Sequence, residues 1–270
     1  MLYFIPTPIG NLSDVSLHIL EVLEELEVIF CEDTRVTKKL LNLLQERNNL
    51  NLKDIKFYSL HSHNEKEILS NLDISIFEKT CAYMSDAGMP CISDPGSFLV
   101  KFALENDIKY EVLSGSNALL IAAVSSGLVE KEFTFLGFLS NSGEKRQLEL
   151  QNALHSIYPT IIYESPKRIL SLVEQISKID PQREIFLIKE ATKKFENKFS
   201  GQALNLYEIL KNDNLNGEWS VVISSSKNAQ SEKILLEDIL DLDIPPKTKS
   251  KLLAKLTGKN SKEIYKTLIK

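Results

Sequence analysis

The 270-residue sequence has few of the features that mark secreted or membrane-spanning proteins. Its three cysteines, Cys31, Cys81 and Cys91, form no Cys-x-x-Cys pair, which favours free thiols over disulfides or a zinc site. No run of about 18 apolar residues occurs, so no transmembrane helix is expected. The first residues include no basic segment, so no signal peptide is expected. These absences predict a cytoplasmic protein with no membrane partner.

The sequence also lacks a glycine-rich phosphate loop and an overall basic charge. Residues 6–11, Pro-Thr-Pro-Ile-Gly-Asn, include one glycine and two prolines that cannot donate a hydrogen bond, which disfavours kinase and dinucleotide-binding functions. The net charge of −5 argues against a surface that binds nucleic acid throughout. Residues 247–270, however, contain eight lysines and one acid, Glu263. This segment is either a local phosphate-binding surface or a solvated helix face.

The pattern that is present is an alternation of short apolar segments with helical ones, in a chain with 43% hydrophobic and 26% charged residues. It predicts an α/β fold with a mostly parallel first sheet. We expect two consecutive α/β domains, 1–114 and 115–226, a polar linker at 224–231 and a basic helical tail at 232–270, in which two small helices flank Gly258. The expected strands are 2–5, 28–31, 55–59, 80–84, 108–113, 133–137, 160–163, 184–188 and 219–223. The expected helices of the second half are 144–155, 166–178 and 202–211.

Polar clusters follow the predicted strands of the first half. Because the carboxyl ends of parallel strands meet at one edge of a sheet, residues 10, 32–35, 61–65, 86–96 and 115 are expected to share one cleft. The central segment is 85–96, Ser-Asp-Ala-Gly-Met-Pro-Cys-Ile-Ser-Asp-Pro-Gly, between a buried strand and a helix. Its glycines and prolines predict a rigid loop that either binds a polar ligand or is a stiff turn with solvated aspartates.

Several polar groups have more than one interpretation. Residues 32–35, Glu-Asp-Thr-Arg, can form an internal ion pair or take part in catalysis. His61 and His63 point the same way on an extended segment but have no third metal ligand at a recognisable spacing. Glu164 with Lys167 and Arg168, and Lys189 with Glu190, can contact phosphate or ribose, or form ion pairs.

Seven motifs in order identify a resemblance that covers residues 2–225. Together they resemble the ribosomal RNA small subunit methyltransferase I family, a branch of the tetrapyrrole methylase (class III) superfamily. The motifs are Pro-Thr-Pro-Ile-Gly-Asn (6–11), Glu-Asp-Thr-Arg (32–35), His-Ser-His-Asn-Glu (61–65), Ser-Asp-Ala-Gly…Pro…Ile-Ser-Asp-Pro-Gly (85–96), Gly-Phe-Leu (137–139), Tyr-Glu-Ser-Pro-Lys-Arg (163–168) and Gly-Glu-Trp (217–219).

The resemblance implies a homodimer of two-domain chains that hold S-adenosylmethionine in the cleft between the domains. It implies 2′-O-methylation of a cytidine ribose in the decoding region of small-subunit (16S) rRNA, either free or in an assembled 30S subunit. The implied cofactor-binding residues are Pro8, Gly10, Asp86, Ala87, Gly88, Pro90, Ser114, Gly115, Ser116, Ala118, Tyr163 and Glu190. The basic tail resembles the small C-terminal module of many members.

The sequence departs from the family pattern in two places. Met89 stands where the family usually has threonine, and Ser-Gly-Ser-Asn at 114–117 replaces the usual Pro-Gly-Pro-Ser. Gly115 is retained, which predicts that the turn itself is preserved. The loss of two prolines predicts a less rigid turn.

A ribose hydroxyl is a poor nucleophile, so a general base or a cation is expected near the reacting oxygen. The candidate bases are Asp94, His63 and Glu164, and the candidate cations that position the substrate are Arg35, Arg168 and Lys189. We expect Asp94 and His63 at the reacting end. Two alternatives are methylation of a tetrapyrrole, and a non-catalytic RNA-binding module that uses the lysine-rich tail.

Overall fold

A computed structural model describes residues 1–226 and 236–269. Its contacts divide the chain into two units, 1–226 and 227–270. The first unit contains two five-stranded sheets. Part of the predicted 224–231 linker lies outside the described residues.

The first sheet is entirely parallel and has the strand order β3-β2-β4-β1-β5. Its strands are β1 (Leu2–Ile5), β2 (Val28–Cys31), β3 (Lys56–Ser59), β4 (Cys81–Met84) and β5 (Tyr110–Val112). The helices between them are α1 (Leu17–Glu25), α2 (Thr34–Asn48), α3 (Glu65–Ser70) and α4 (Ser97–Glu105), with 3₁₀ turns at Leu12–Asp14 and Ile74–Glu78. The predicted alternation of strands and helices in this half is confirmed.

Helices cover both faces of the first sheet, which is why its central strands are apolar at every position. Alternate residues of a strand point to opposite faces of the sheet. Ile5 packs in the same core cluster as α1 and α2 on one face, whereas Phe4 packs in the same cluster as α3 and α4 on the other. The four residues of β2 and of β4 are all buried. The first polar residue after β2 is Glu32, and the first after β4 is Ser85. Because the strands are parallel, both residues lie at the same edge of the first sheet.

The second sheet is mixed, with the order β6-β7-β10-β8-β9. Its strands are β6 (Thr134–Phe138), β7 (Thr160–Glu164), β8 (Glu184–Lys189), β9 (Asn197–Gln202) and β10 (Trp219–Ile223). Only β6 and β7 pair in parallel. The β9 edge strand was not predicted, because its sequence, Asn-Lys-Phe-Ser-Gly-Gln, has one large apolar residue.

Helices cover the two faces of the second sheet unequally. One face carries α6 (Gly143–Leu154), α7 (Ile169–Ile179) and α8 (Ala203–Leu210), as predicted within three residues at each end. The other face carries α5 (Ala118–Ser126) through Leu119, Ala122 and Ala123. The division between domains at 114–115 stays a prediction.

The second unit consists of α9 (Leu236–Asp241), α10 (Pro246–Thr257) and α11 (Ser261–Leu268) in its described part. Gly258 ends α10 in the left-handed conformation, with φ of 70°, and Asn260 caps α11. Between residues 236 and 269, six lysines are exposed, namely Lys247, Lys251, Lys255, Lys259, Lys262 and Lys266. None of the described helices is long and apolar enough to cross a membrane.

Candidate active site

The loop between β4 and α4, residues 85–96, has an unusual backbone. Gly88 and Gly96 have φ of 86° and 113°, and two residues with side chains, Cys91 and Ser93, have φ of 68° and 67°. A Cβ at Gly96 would lie 2.6 Å from Tyr83 Cε1, so only glycine fits there. Left-handed backbone at non-glycine residues is costly and is concentrated at functional sites. The predicted rigid loop is thus held in a strained form.

Two other predicted motifs bind this loop directly. The Thr7 N–H donates to the Gly88 carbonyl at 2.9 Å, and the Gly88 N–H donates back to the Thr7 carbonyl at 3.0 Å. The Thr7 hydroxyl donates to the Ser85 carbonyl, and the Asp33 N–H donates to Asp86 Oδ1 at 3.2 Å. The ends of β1, β2 and β4 therefore meet, as the sequence predicts.

A cavity of about 330 Å³ opens between this loop and the second sheet. Small-molecule sites usually start at about this volume. The predicted site residues that line it are Ala87, Gly88, Asp94, Ala118, Tyr163 and Glu164. Asn117, Phe138, Ile188, Glu218 and Trp219 also line it without having been assigned a role. The motifs Gly-Phe-Leu and Gly-Glu-Trp contain three of these residues, Phe138, Glu218 and Trp219. Those motifs were the feature of the sequence that could have identified them as part of a site.

Asp94 is a titratable group of this cavity with a raised pKa. Burial, and then the nearby carboxylates of Glu32 and Asp86, raise its pKa to about 7. Within the described residues, its carboxylate has no hydrogen bond or ion pair that would favour the charged form. A carboxyl group with such a pKa can exchange a proton near pH 7.

Tyr163 joins the second sheet to the start of α5. Its hydroxyl oxygen accepts a hydrogen bond from the Leu119 N–H at 3.0 Å, and its ring packs edge-on against Phe135. Burial raises the pKa of Tyr163 to about 12, so the phenol is neutral at physiological pH. It is therefore a hydrogen-bonding and apolar wall of the cavity.

Glu164 lines the cavity but its carboxylate is fully engaged elsewhere. Oε2 accepts a hydrogen bond from Arg146 Nη2 at 3.0 Å, and Oε1 accepts one from the Ser165 N–H at 2.7 Å. Arg168 Nε forms an ion pair with Oε1, also at 2.7 Å. Its side chain is completely buried. This geometry argues against the predicted role of Glu164 as a base, because both of its carboxylate oxygens are already engaged by buried or half-buried partners. Arg146, which the sequence analysis missed, is a buried partner 18 residues away.

A second cavity of about 280 Å³ contains three further predicted residues, Pro8, Gly10 and Asp86. It shares the lining residues Ile9, Ala87 and Glu218 with the first cavity, so the two cavities are neighbours along the 6–11 loop. Gly10 is sterically required, because a Cβ there would lie 2.4 Å from Lys193 Cγ.

Glu190 borders the second cavity without lining it. Its Oε1 accepts from the Glu218 N–H and from Lys193 Nζ, each at 2.9 Å. Its backbone is left-handed, with φ of 54°. Glu190 thus fixes the loop that closes over Gly10, in keeping with an indirect role in binding.

The turn at 114–117 is packed closely at Gly115 and bonded to α5 at Asn117. A Cβ at Gly115 would lie 2.7 Å from Pro6 Cβ, and the Asn117 side chain caps α5 by accepting from the Leu120 N–H. Neither the first nor the second cavity is lined by Ser114, Gly115 or Ser116. Pro90 is buried and also lines neither of them.

Three of the predicted catalytic or cationic residues lie away from the first cavity. Arg35 is 89% exposed and pairs with Asp33 at 2.6 Å, an ion pair that lowers the pKa of Asp33 to about 2. His63 is exposed, and its N–H donates to His61 Nδ1. Lys189 is buried, with its ammonium on the Asn214 carbonyl and over the Trp219 ring, so it cannot position a substrate. The described residues contain no cluster of three metal-ligating side chains.

Glu65, the last residue of the His-Ser-His-Asn-Glu motif, has a structural role that the sequence did not predict. Its buried Oε1 accepts from the Phe98 and Leu99 N–H groups, each at 3.1 Å. It therefore supplies the N-terminal cap that Gly96 cannot give to α4. Through α4, Glu65 anchors the end of the 85–96 loop.

Comparisons with known proteins agree with this architecture. The family model "Tetrapyrrole (Corrin/Porphyrin) Methylases" matches residues 1–206. A "Ribosomal RNA small subunit methyltransferase I" of Campylobacter fetus is 61% identical over the full length of both chains, and one of Helicobacter pylori J99 is 41% identical over 98% of this chain and 96% of its own. Uroporphyrin-III C-methyltransferase of Thermus thermophilus, complexed with S-adenosyl homocysteine, superposes with a TM-score of 0.55 at 16% identity, covering 82% and 96% of the two chains.

Proposed function

Since this chain belongs to the tetrapyrrole methylase family, and within it to the ribosomal RNA small subunit methyltransferase I proteins, we propose that it methylates small-subunit rRNA. The reaction transfers the methyl group of S-adenosylmethionine to the 2′-oxygen of a cytidine ribose in the decoding region. The observation that carries this proposal, beyond the relatives, is the cavity between the two sheets with Asp94 at its edge.

The cavity residues fit S-adenosylmethionine in size and chemistry. A volume of about 330 Å³, with a neighbouring cavity of about 280 Å³, suits a ligand made of an adenosine and an amino acid. Apolar side chains of Ile9, Met89 and Ile188 can pack on the adenine. Met89 preserves this apolar surface, although it cannot offer the hydroxyl of the usual threonine.

We assign the cofactor contacts to the two cavities. Gly10 and Ala87 are exposed there and can present backbone groups to the cofactor, whereas Gly88, whose N–H and carbonyl are bonded to Thr7, shapes the cavity wall. Ala118 and Tyr163 form the opposite wall. Asp86, Glu190, Gly115 and their neighbours hold these loops in place, and their contribution to binding is mainly through that positioning.

Asp94 is the general base of this mechanism. When bound, S-adenosylmethionine supplies a methyl group on a cationic sulfur. The Asp94 carboxylate accepts the proton of the ribose hydroxyl as the oxygen becomes a nucleophile, and its pKa of about 7 matches that task near neutral pH. The rigid 85–96 loop and Tyr163 fix the walls against which the ribose aligns. His63, which is exposed on the neighbouring strand end, is at most a contact to the RNA.

We also propose a homodimer in the cytoplasm, where small ribosomal subunits occur. Leu120 and Val124, one turn apart on α5, are 52% and 85% exposed, and a second copy of the chain would cover them. The mass of the protein in solution, measured by light scattering, tests this. A monomer at micromolar concentration would contradict it.

The function is tested by methyl transfer from tritiated S-adenosylmethionine. Small subunits from a strain lacking this protein, the rRNA extracted from them and a tetrapyrrole precursor are offered in parallel. We expect label in the rRNA as alkali-resistant 2′-O-methylcytidine. Label in the tetrapyrrole alone would refute the proposal, as would RNA binding without any methyl transfer.

A further inference from the structure

A third cavity, of about 380 Å³, lies between α6 and α7 in the first unit. Its residues are Asn141, Ser142, Gly143, Arg146, Gln147, Lys167, Arg168, Ser171 and Gln175. Three of these are cationic, and none is a carboxylate. The cavity is therefore a polar basic pocket, in contrast with the first cavity, whose titratable groups are acidic.

The cations of this pocket are not neutralised by their surroundings. Glu164 is the acidic partner of both arginines, so Arg146, Arg168 and Lys167 together exceed it by two positive charges. In the described part of the chain, no acceptor contacts Arg168 Nη2 or Lys167 Nζ. These free donors line a cavity, which is the arrangement expected for an anion site.

The arginines are also held rigidly. Arg168 Nη1 donates to the Leu139 carbonyl and to Asn141 Oδ1, while Arg146 Nη1 donates to the Ser140 carbonyl. With Glu164 they form one network whose members are mostly buried. Such fixed guanidinium groups lose little conformational entropy when they bind an anion.

The pocket is continuous in sequence with the candidate active site. Glu164, Ser165 and Pro166 line the first cavity, and the next two residues, Lys167 and Arg168, line the basic pocket. Glu164 also pairs with Arg146 and Arg168 of the basic pocket, so one buried side chain connects the two cavities in space. A ribose that is methylated within an RNA chain has phosphates on both sides.

We propose that this pocket binds a backbone phosphate of the RNA next to the methylated nucleotide. This inference rests on the proposed function. The pocket positions the target ribose for Asp94 and distinguishes an RNA chain from a free nucleoside or a tetrapyrrole.

Lys167→Ala and Lys167→Glu test the proposal, because Lys167 is exposed and supports no fold contact among the described residues. We expect KM for the RNA substrate to rise about tenfold in Lys167→Ala and more in Lys167→Glu, at unchanged kcat and unchanged affinity for S-adenosylmethionine. In both variants, the negative slope of log(kcat/KM) against log[salt] should become shallower by about one, which is the amount expected for the loss of one phosphate contact.

The matched control is Lys145→Ala, since Lys145 is an exposed lysine of α6 that pairs with Glu149 and does not line the pocket. It should leave KM and the salt slope unchanged. Equal effects of Lys145→Ala and Lys167→Ala would mean general charge attraction and would overturn the pocket.

Two further outcomes are distinguishable. If the wild-type protein methylates no RNA, the proposed function has failed. If it methylates RNA and Lys167→Glu behaves as wild type, only the phosphate pocket has failed.

A separate experiment adds inorganic phosphate at constant ionic strength and saturating RNA. Stimulation or inhibition of the wild type but not of Lys167→Glu would identify a free anion as the ligand and overturn the assignment to RNA.

Discussion

The cap that Glu65 places on α4 leads to a graded prediction of stability. Both hydrogen bonds, from the Phe98 and Leu99 N–H groups, go to the same oxygen, Oε1, and Glu65 is 2% exposed. Glu65→Ala removes the acceptor and leaves the two donors unpaired. Glu65→Gln keeps an oxygen at the same position and removes only the charge.

The magnitude follows from what each variant leaves unpaired. An unsatisfied buried donor costs about 1–3 kcal/mol. Leu99 is fully buried, whereas Phe98 is 36% exposed and its N–H has better access to water. We therefore expect Glu65→Ala to lower the free energy of unfolding by about 3 kcal/mol. Glu65→Gln should lower it by about 1 kcal/mol, because a neutral acceptor is weaker than a charged one.

Urea unfolding followed by circular dichroism measures both values, at an unchanged m-value. Glu67→Ala, on the exposed side of the same helix, is the control and should stay within about 0.5 kcal/mol of wild type. Equal destabilisation by alanine and glutamine at position 65 would refute the reasoning, since it would show that the acceptor oxygen is not what the fold needs.

Three further predictions concern the site. The pKa of Asp94 is about 7 in the folded state and about 3.9 in the unfolded state, so the wild type loses stability as the pH rises from about 4 to 7. Asp94→Asn carries no such charge, and its Tm relative to wild type should therefore increase from pH 4 to pH 8. A Tm difference that does not change with pH would contradict the raised pKa. Gly115→Ala places a Cβ 2.7 Å from the Pro6 ring and should cost about 1–3 kcal/mol in urea unfolding, while Ser114→Ala stays near wild type; two equal values would show that the turn can relax. Glu164→Ala leaves two guanidinium groups without their carboxylate and should cost about 3–5 kcal/mol, with Glu164→Gln less damaging; a stability like that of wild type would show that the network contributes nothing.

The sequence was sufficient to predict the first sheet and the contacts between the loops that follow its strands. Apolar strands that end in polar residues predicted a parallel sheet with one functional edge, and the hydrogen bonds between Thr7 and Gly88 and from Asp33 to Asp86 lie at that edge. The strength of this prediction comes from the parallel geometry, which fixes the relative positions of all strand ends once the strands are known.

Pairings between distant polar residues could not be predicted in the same way. Glu164, Arg168 and Lys189 had the composition of a substrate site, but burial and long-range partners decide what each does. Arg146 and the Asn214 carbonyl, which engage Glu164 and Lys189, lie 18 and 25 residues away from them. Local sequence gives no signal for such contacts, because they depend on how α6 and the 211–217 segment pack.

The raised pKa of Asp94 was equally invisible in sequence. Asp86 and Asp94 occur in the same loop, but burial and the surrounding carboxylates of Glu32 and Asp86 bring the pKa of Asp94 to about 7. The sequence placed Asp94 among three candidate bases. The three have different surroundings in the structure: Asp94 lines the cavity, Glu164 is held in an ion-pair network, and His63 is exposed and does not line the cavity.

The central claim is that the cavity between the two sheets is where a ribose hydroxyl loses its proton to Asp94. Single-turnover methyl transfer, with S-adenosylmethionine pre-bound and small subunits in excess, tests it most directly in Asp94→Asn, with Glu105→Gln on the exposed side of α4 as the control. We expect a rate about 10²–10⁴ times lower for Asp94→Asn at unchanged affinity for S-adenosylmethionine, and a wild-type rate for the control. A wild-type rate in Asp94→Asn, with the cofactor bound normally, would contradict it.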